Sequence, residues 1–282
     1  MRLDSVVKAI EQFDLLDGLS SSLAKAVGKG VEPRPIRNLL SGTFIGHPLH
    51  PMLTDLPIGA WTMAAFLDLA GGRASEPAAD ALVAVGIATA VPTAAAGLND
   101  WSDTQGKTRR TGVVHGLTNS VALCFYVSSA IARRSGRRGL GKVLGFAGLG
   151  LVTFGGYLGG HLTYADAVNV NKTADRRGPA KWTSVLAEGE LPDGTHRKVQ
   201  VRGVSVLLYR SGTTIRGIDS VCSHMGGPLE EGQIESGCVT CPWHGSMFKL
   251  ADGSIVRGPA TRPQPAYEGQ IREGQIQIRR AS

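Results

Sequence analysis

The residues that constrain this 282-residue chain most tightly run from Cys222 to His244. Cys222-Ser223-His224 is followed, after sixteen intervening residues, by Cys241-Pro242-Trp243-His244. Each stretch offers one thiolate and one imidazole. Zinc accepts two sulfurs and two nitrogens in tetrahedral geometry, so a two-Cys, two-His zinc site is one reading. Zinc ligand pairs usually come sorted by type, however, and here each stretch mixes them. A [2Fe–2S] cluster with unlike irons accounts for the mixing, a Cys from each loop on one iron and a His from each on the other.

The flanking residues, Cys-Ser-His-Met-Gly-Gly-Pro-Leu at 222–229 and Cys-Pro-Trp-His-Gly at 241–245, resemble the Rieske iron–sulfur family over about 181–280. The resemblance implies that Cys222 and Cys241 hold the inner iron, with His224 and His244 on an outer, solvent-facing one. It also implies that Gly258-Pro259-Ala260 and Pro263 form a proline-containing loop over the cluster. High-potential respiratory members tie their two loops with a disulfide. Gly227 and Trp243 stand at the matching positions, so that bond cannot form here. Ser246 matches a hydroxyl of those members, but Phe248 replaces their Tyr. These departures resemble the low-potential Rieske ferredoxins that feed oxygenases. An oxygenase in its own right would need two further histidines and a carboxylate for a mononuclear iron. The stretch after His244 holds no histidine.

The remaining cysteines are Cys124, inside an apolar run, and Cys238, which reads as a buried strand residue. No disulfide framework is visible, which fits a reducing compartment. Net charge is +7, with the basic excess lying mostly before residue 180 and flanking apolar runs. That pattern suits membrane-flanking charge, and no basic stripe interleaved with aromatics points to nucleic acid. Residues 1–30 show no apolar core of a secretory signal.

Over 1–45, Val6, Val7, Ile10 and Phe13 recur at helical spacing, as do Leu19, Leu23, Ala26 and Val27. This amphipathic segment reads either as an anchor lying on the membrane surface or as packed helices. Apolar runs at about 53–70, 81–98, 112–132 and 143–164 then predict a four-helix antiparallel transmembrane domain over 46–166. Alternating helix direction gathers His47, His50, Asp55, Asp100, His115 and His161 on one side of the bilayer. Ionisable groups at such places are functional candidates, here for a b-type haem, a quinone or a metal, or else for helix capping. Gly46-His47-Pro48-Leu49-His50-Pro51, Gly97-Leu98-Asn99-Asp100-Trp101 and Gly156-Tyr157-Leu158-Gly159-Gly160-His161 resemble a bacterial four-helix membrane family of unknown function. That resemblance implies no activity. A polar linker is expected over 167–180, and short alternating strands (199–201, 205–209, 214–216, 275–279) predict a small antiparallel β domain over 181–282.

The expected whole is multidomain: an all-α four-helix transmembrane bundle followed by an all-β Rieske domain. The expected role is one-electron shuttling with a redox partner protein, whether reductase, oxygenase or respiratory component. Two other roles stay open, a two-centre oxidoreductase with haem b or quinone among the helices, and a redox sensor. Total Lys and Arg count favours both termini, and the Rieske domain, on the cytoplasmic side of a multi-pass cell-membrane protein, whereas the density of those charges per loop favours the opposite; the cytoplasmic side is the expectation. The missing disulfide and Tyr predict a midpoint potential toward the lower end of the family's range of about −150 to +300 mV. A redox titration returning a value well above zero contradicts that expectation.

Overall fold

The computed structural model describes residues 3–281. It forms two units, one of Met1–Glu32 with Pro48–Val168 and one of Pro33–His47 with Asn169–Ser282. The first is helical and contains α1 (Leu3–Gln12), α2 (Leu16–Gly30), α4 (Leu49–Ala70), α5 (Glu76–Ser102), α6 (Gly106–Arg134) and α7 (Arg138–Tyr164). The short helix α3 (Arg34–Ser41) belongs to the second. The segment expected to hold together over 1–45 is therefore shared between the two.

Links as short as Asp103–Gln105 and Ser135–Arg137 leave consecutive long helices side by side and antiparallel. Helix α5 with its lead-in (Arg73–Ser102), α6 and α7 are long and apolar enough to cross a membrane. Helix α4 is outside that set, because Asp55, Pro57 and Asp68 dilute its apolar run. Pro57 has no N–H to give the Leu53 carbonyl four residues back. The Thr93 hydroxyl of α5, 2.8 Å from the Thr89 carbonyl of its own helix, lies 3.2 Å from that carbonyl and shares its single proton between the two. Trp61 and Tyr126 stack at 4.0 Å in the interior among Ala64, Val83, Ala122 and Val152. Phe66, Leu69, Val91, Ile131 and Val143 point outward and lie exposed. Large apolar side chains outside and small or aromatic ones inside are what a lipid-facing bundle presents.

Helices α1 and α2 pack on this unit. Arg110 of α6 forks onto the Asp17 carboxylate at 2.6 and 2.7 Å and donates to the Glu11 carbonyl at 2.6 Å. Val7 and Ala24 are buried, while Phe13, Leu15 and Leu19 stay exposed. The packed-helix reading accounts for the first pair and leaves the exposed set available for lipid.

The second unit carries two antiparallel sheets. The larger has strand order β1-β10-β9-β4-β3-β2, from β1 (Thr183–Ala187), β2 (His196–Val201), β3 (Val204–Ser211), β4 (Thr214–Asp219), β9 (Ala266–Arg272) and β10 (Gln275–Arg280). The smaller is β5 (Gln233–Glu235), β6 (Cys238–Thr240), β7 (Met247–Lys249) and β8 (Ile255–Arg257), in that order. Arg202-Gly203 and Glu273-Gly274 have positive φ at both residues, the hairpin turn whose twist matches paired strands. Strand β3 is buried on both faces. Val206 and Leu208 meet Ile215, Tyr267, Ile276 and Ile278, while Leu207 faces Ile218 and the core that contains Cys222 and Cys241.

The expected linker is docked rather than loose. Asn171 Oδ1 accepts from the Thr173 amide and hydroxyl at 3.0 and 2.8 Å, and Arg176 reaches the buried Asp219 carboxylate at 2.7 Å. Cys238 lies in β6 as expected but is half-buried, since the residue that faces inward there is Val239.

At one end of the helical unit, Arg133 pairs with Asp68 and also donates to Asp80 at 3.0 Å. The Arg133 and Asp68 side chains are only 2% and 4% exposed, against 42% for Asp80. Removing Asp68 leaves the buried Arg133 to the more exposed Asp80, at a cost approaching the ~3–5 kcal/mol of breaking a buried pair. Asp68→Asn should therefore lower the unfolding temperature of the detergent-solubilised protein far more than Asp80→Asn, whose cost is about 1 kcal/mol or less. Equal losses in thermal melts would refute the burial argument.

Candidate metal centre

Two turns of one construction present the four predicted ligands. Cys222 follows β4 and Cys241 follows β6. Each cysteine N–H donates to the carbonyl five residues on, at Gly227 and Ser246, both 2.8 Å. Each cysteine carbonyl accepts from the glycine four residues on, Gly226 at 2.9 Å and Gly245 at 3.0 Å. Those glycines have φ of 81° and 70°, the left-handed region that a Cβ opposes. The turns bury both sulfurs and bring the His224 and His244 rings to 5.2 Å, at 89° to one another.

The Cys241 sulfur alongside, and then burial, push the Cys222 thiol up, while the His224 and Met225 amides oppose the shift. Two thiols confined in an apolar pocket resist ionising together unless a cation shares the pocket. Burial, reinforced by His244, Arg37 and Lys172, holds His224 well below the usual imidazole range and so in its neutral, ligating form. The donor set and its surroundings fit a metal centre of mixed sulfur and nitrogen ligation.

A third loop ties the two turns together. The Arg257 guanidinium donates to the Gly245 carbonyl at 2.7 Å, the Ala260 amide to Ser246 Oγ at 3.0 Å, and Ser223 Oγ to the Arg262 carbonyl at 2.7 Å. This is the proline-containing segment expected over Gly258–Pro263. A Cβ at Gly227 would come within 2.8 Å of Cys241 Sγ and 3.1 Å of the Trp243 ring. The two positions of the missing disulfide are thus neighbours, with the indole lying against the glycine. Phe248 is fully buried in the same core.

One expectation is corrected. His224 is 6% exposed, not solvent-facing. Residues outside 181–282 account for the cover. The Lys172 amide donates to the Ser223 carbonyl at 3.0 Å, Asn38 Oδ1 accepts from the Gly258 amide at 2.8 Å, and Thr43 Oγ1 donates to the Ala260 carbonyl at 3.2 Å. Arg37 is buried in the same segment. His244, half-buried, lies beside the exposed Trp243 and forms the more open side of the site. Nothing in residues 33–47 signalled this role, because the contacts depend on a return of the chain across more than two hundred residues.

Of the four histidines expected together, the structure brings two, His50 and His115, against one another. His47 is exposed and folds with the β unit. His50 and His115 meet within the helices, their rings 6.2 Å apart at 88°. His50 Nδ1 lies 2.9 Å from the Thr93 carbonyl and His115 Nδ1 2.8 Å from that of Gly155. His161 sits apart from them with Glu11 and Asp166.

Arg37 and Lys172 place positive charge near His224, which favours an added electron and so opposes the low potential expected from the loops. Arg37→Leu should shift the midpoint negative by tens of millivolts, the scale of one charge acting through an effective dielectric of ~20. An unchanged midpoint in a redox titration would remove Arg37 from the account.

Comparison with known proteins agrees with this construction. Residues 181–268 match the Rieske [2Fe-2S] domain, and residues 46–172 match a predicted membrane protein family, DUF2231. The chain is 30% identical to ferredoxin CarAc of Metapseudomonas resinovorans over 98 residues, 34% of this chain and 92% of that protein. It is 36% identical to the 3-phenylpropionate/cinnamic acid dioxygenase ferredoxin subunit of Photorhabdus laumondii over 90 residues, 32% of this chain and 85% of that one. Among solved structures, the ferredoxin of carbazole 1,9a-dioxygenase from Nocardioides aromaticivorans IC177 aligns over 35% of this chain and 97% of its own, at 25% identity and a TM-score of 0.34.

Proposed function

We propose, from the premise that this chain belongs to the Rieske [2Fe–2S] proteins, that it is a membrane-tethered carrier of single electrons. The observation that carries the reading is the pair of matched turns, which set two buried sulfurs beside two imidazoles 5.2 Å apart in a domain of ferredoxin length. Cys222 and Cys241 would hold one iron and His224 and His244 the other. When bound, a [2Fe–2S] cluster supplies reversible one-electron transfer. The chain's own part is to exclude water from the sulfurs, to hold the His224 imidazole neutral and to leave His244 and Trp243 as the open side toward a partner. The relatives named as dioxygenase ferredoxins support a reductase or oxygenase component as that partner. The apolar spans of α5, α6 and α7 support a multi-pass location, and the Lys and Arg counts favour a cytoplasmic Rieske domain.

A second reading, an additional redox centre among the helices, is favoured by His50 and His115. A carbonyl only accepts hydrogen bonds, so in each neutral ring Nδ1 carries the proton and Nε2 the lone pair, the tautomer in which metal-ligating histidines are held. The two rings are anchored alike, each against a glycine four residues after its carbonyl partner, Gly97 after Thr93 and Gly159 after Gly155. Asn119 Nδ2 currently lies 3.4 Å from His115 Nε2.

Optical and EPR spectra of the purified full-length protein, oxidised and dithionite-reduced, test both readings. A Rieske signal lost in His244→Ala, with the β unit still folded, is the expected result. A reconstituted, folded protein without an iron–sulfur signal would overturn the first reading, and a spectrum without a haem band would overturn the second.

A further inference from the structure

Glu11 near the end of α1, His161 in the last turn of α7 and Asp166 just beyond it converge on one point. Their ligand-type atoms all lie within 4.8 Å of one another. His161 Nε2 is 3.5 Å from Glu11 Oε1 and 4.0 Å from Asp166 Oδ1. The Asp166 side chain is 6% exposed, and its buried Oδ2 receives no hydrogen bond. The buried Nε2 of His161 has no hydrogen-bond partner either. A carboxylate oxygen and an imidazole nitrogen left so in one buried spot are a standing cost unless something occupies the space between them.

Positive charge is already close, though not well engaged. Lys107, in the first turn of α6, has Nζ 3.5 Å from Glu11 Oε1 and 3.8 Å from Asp166 Oδ1. Its side chain is 62% exposed, so it swings into solvent at little cost and leaves two carboxylates and an imidazole facing one another. We propose that Glu11, His161 and Asp166 form a binding site for a divalent first-row transition ion. The imidazole favours Fe2+ or Zn2+ over Ca2+ and Mg2+, while the two carboxylates admit Mn2+ and disfavour soft Cu(I). Metal–oxygen and metal–nitrogen bonds of about 2.0–2.2 Å ask the three atoms to close by less than an ångström, within the reach of side-chain rotation. The bound ion would pin amphipathic α1 to the end of α7. The site shares no ligand with the Cys/His turns and stands independently of their reading.

Mn2+ is the probe, because its free aqueous form has a strong EPR signal and the bare N/O site offers no sulfur. It is titrated into the full-length, tag-free protein with the iron–sulfur centre oxidised and EPR-silent. The site predicts one Mn2+ per chain, with affinity falling about tenfold or more in Asp166→Asn and in His161→Ala. Lys107→Met should bind several-fold more tightly, since the competing ammonium is gone, and a gain of this kind does not arise from misfolding. No stoichiometric site in the wild type, or unchanged affinity in Asp166→Asn, would overturn the proposal and leave a cluster neutralised by Lys107.

Discussion

Two buried sulfurs and two imidazoles meet in one corner of the β unit, where the thiols ionise together only if a cation shares the space. Each feature around them answers that constraint. The repeated turn, with its glycine at positive φ, delivers a cysteine inward and spends the backbone donors and acceptors locally. Gly227 is bare because a Cβ would strike the Cys241 sulfur. The third loop locks the two turns through Arg257, Ala260 and Ser223 and exposes little new backbone in doing so. Local geometry thus gathers two thiols and two imidazoles of the kind a metal centre of mixed ligation uses.

The cover over His224 shows how a shared domain becomes particular to one chain. Residues Pro33–His47 and Asn169–Lys172 come from stretches outside the Rieske match, yet they hydrogen-bond to the cluster-bearing loops and place Arg37 and Lys172 beside them. Charge and solvent exclusion are two of the levers on an iron–sulfur potential, and both are set here by residues far away in sequence. The missing disulfide and Tyr lead to the expectation of a low potential, and the positive charge of Arg37 and Lys172 beside His224 opposes it. The same cover leaves His244 and Trp243 as the more open face.

In the helical unit the polar residues sort by end. Arg133, Asp68, Asp80 and Arg138 interlock at one, while His50 and His115 meet elsewhere in the bundle and His161 joins Glu11 and Asp166. In an apolar environment such groups need partners from neighbouring helices. The Thr93 hydroxyl on the carbonyl freed by Pro57 is the same rule applied to the backbone.

The spacing of Cys222, His224, Cys241 and His244 was legible as two short loops, each offering a thiolate and an imidazole, because each pair lies within a turn and local chain geometry carries it. The alternation of Gln275–Arg279 and the long apolar runs announced the strand and the helices for the same reason, since period and length are local properties. What was illegible depended on distant packing. His47, His50, His115 and His161 looked like one group from helix ends alone, but which rings meet depends on how helices rotate about their axes, and no periodicity states that. The linker became a cover because Arg176 had a buried Asp219 to reach. Sequence by itself determined the paired Cys/His turns and the elements that carry them; only the tertiary structure decided their neighbours, because contacts between residues far apart in the chain are set by packing and charge pairing rather than by local pattern.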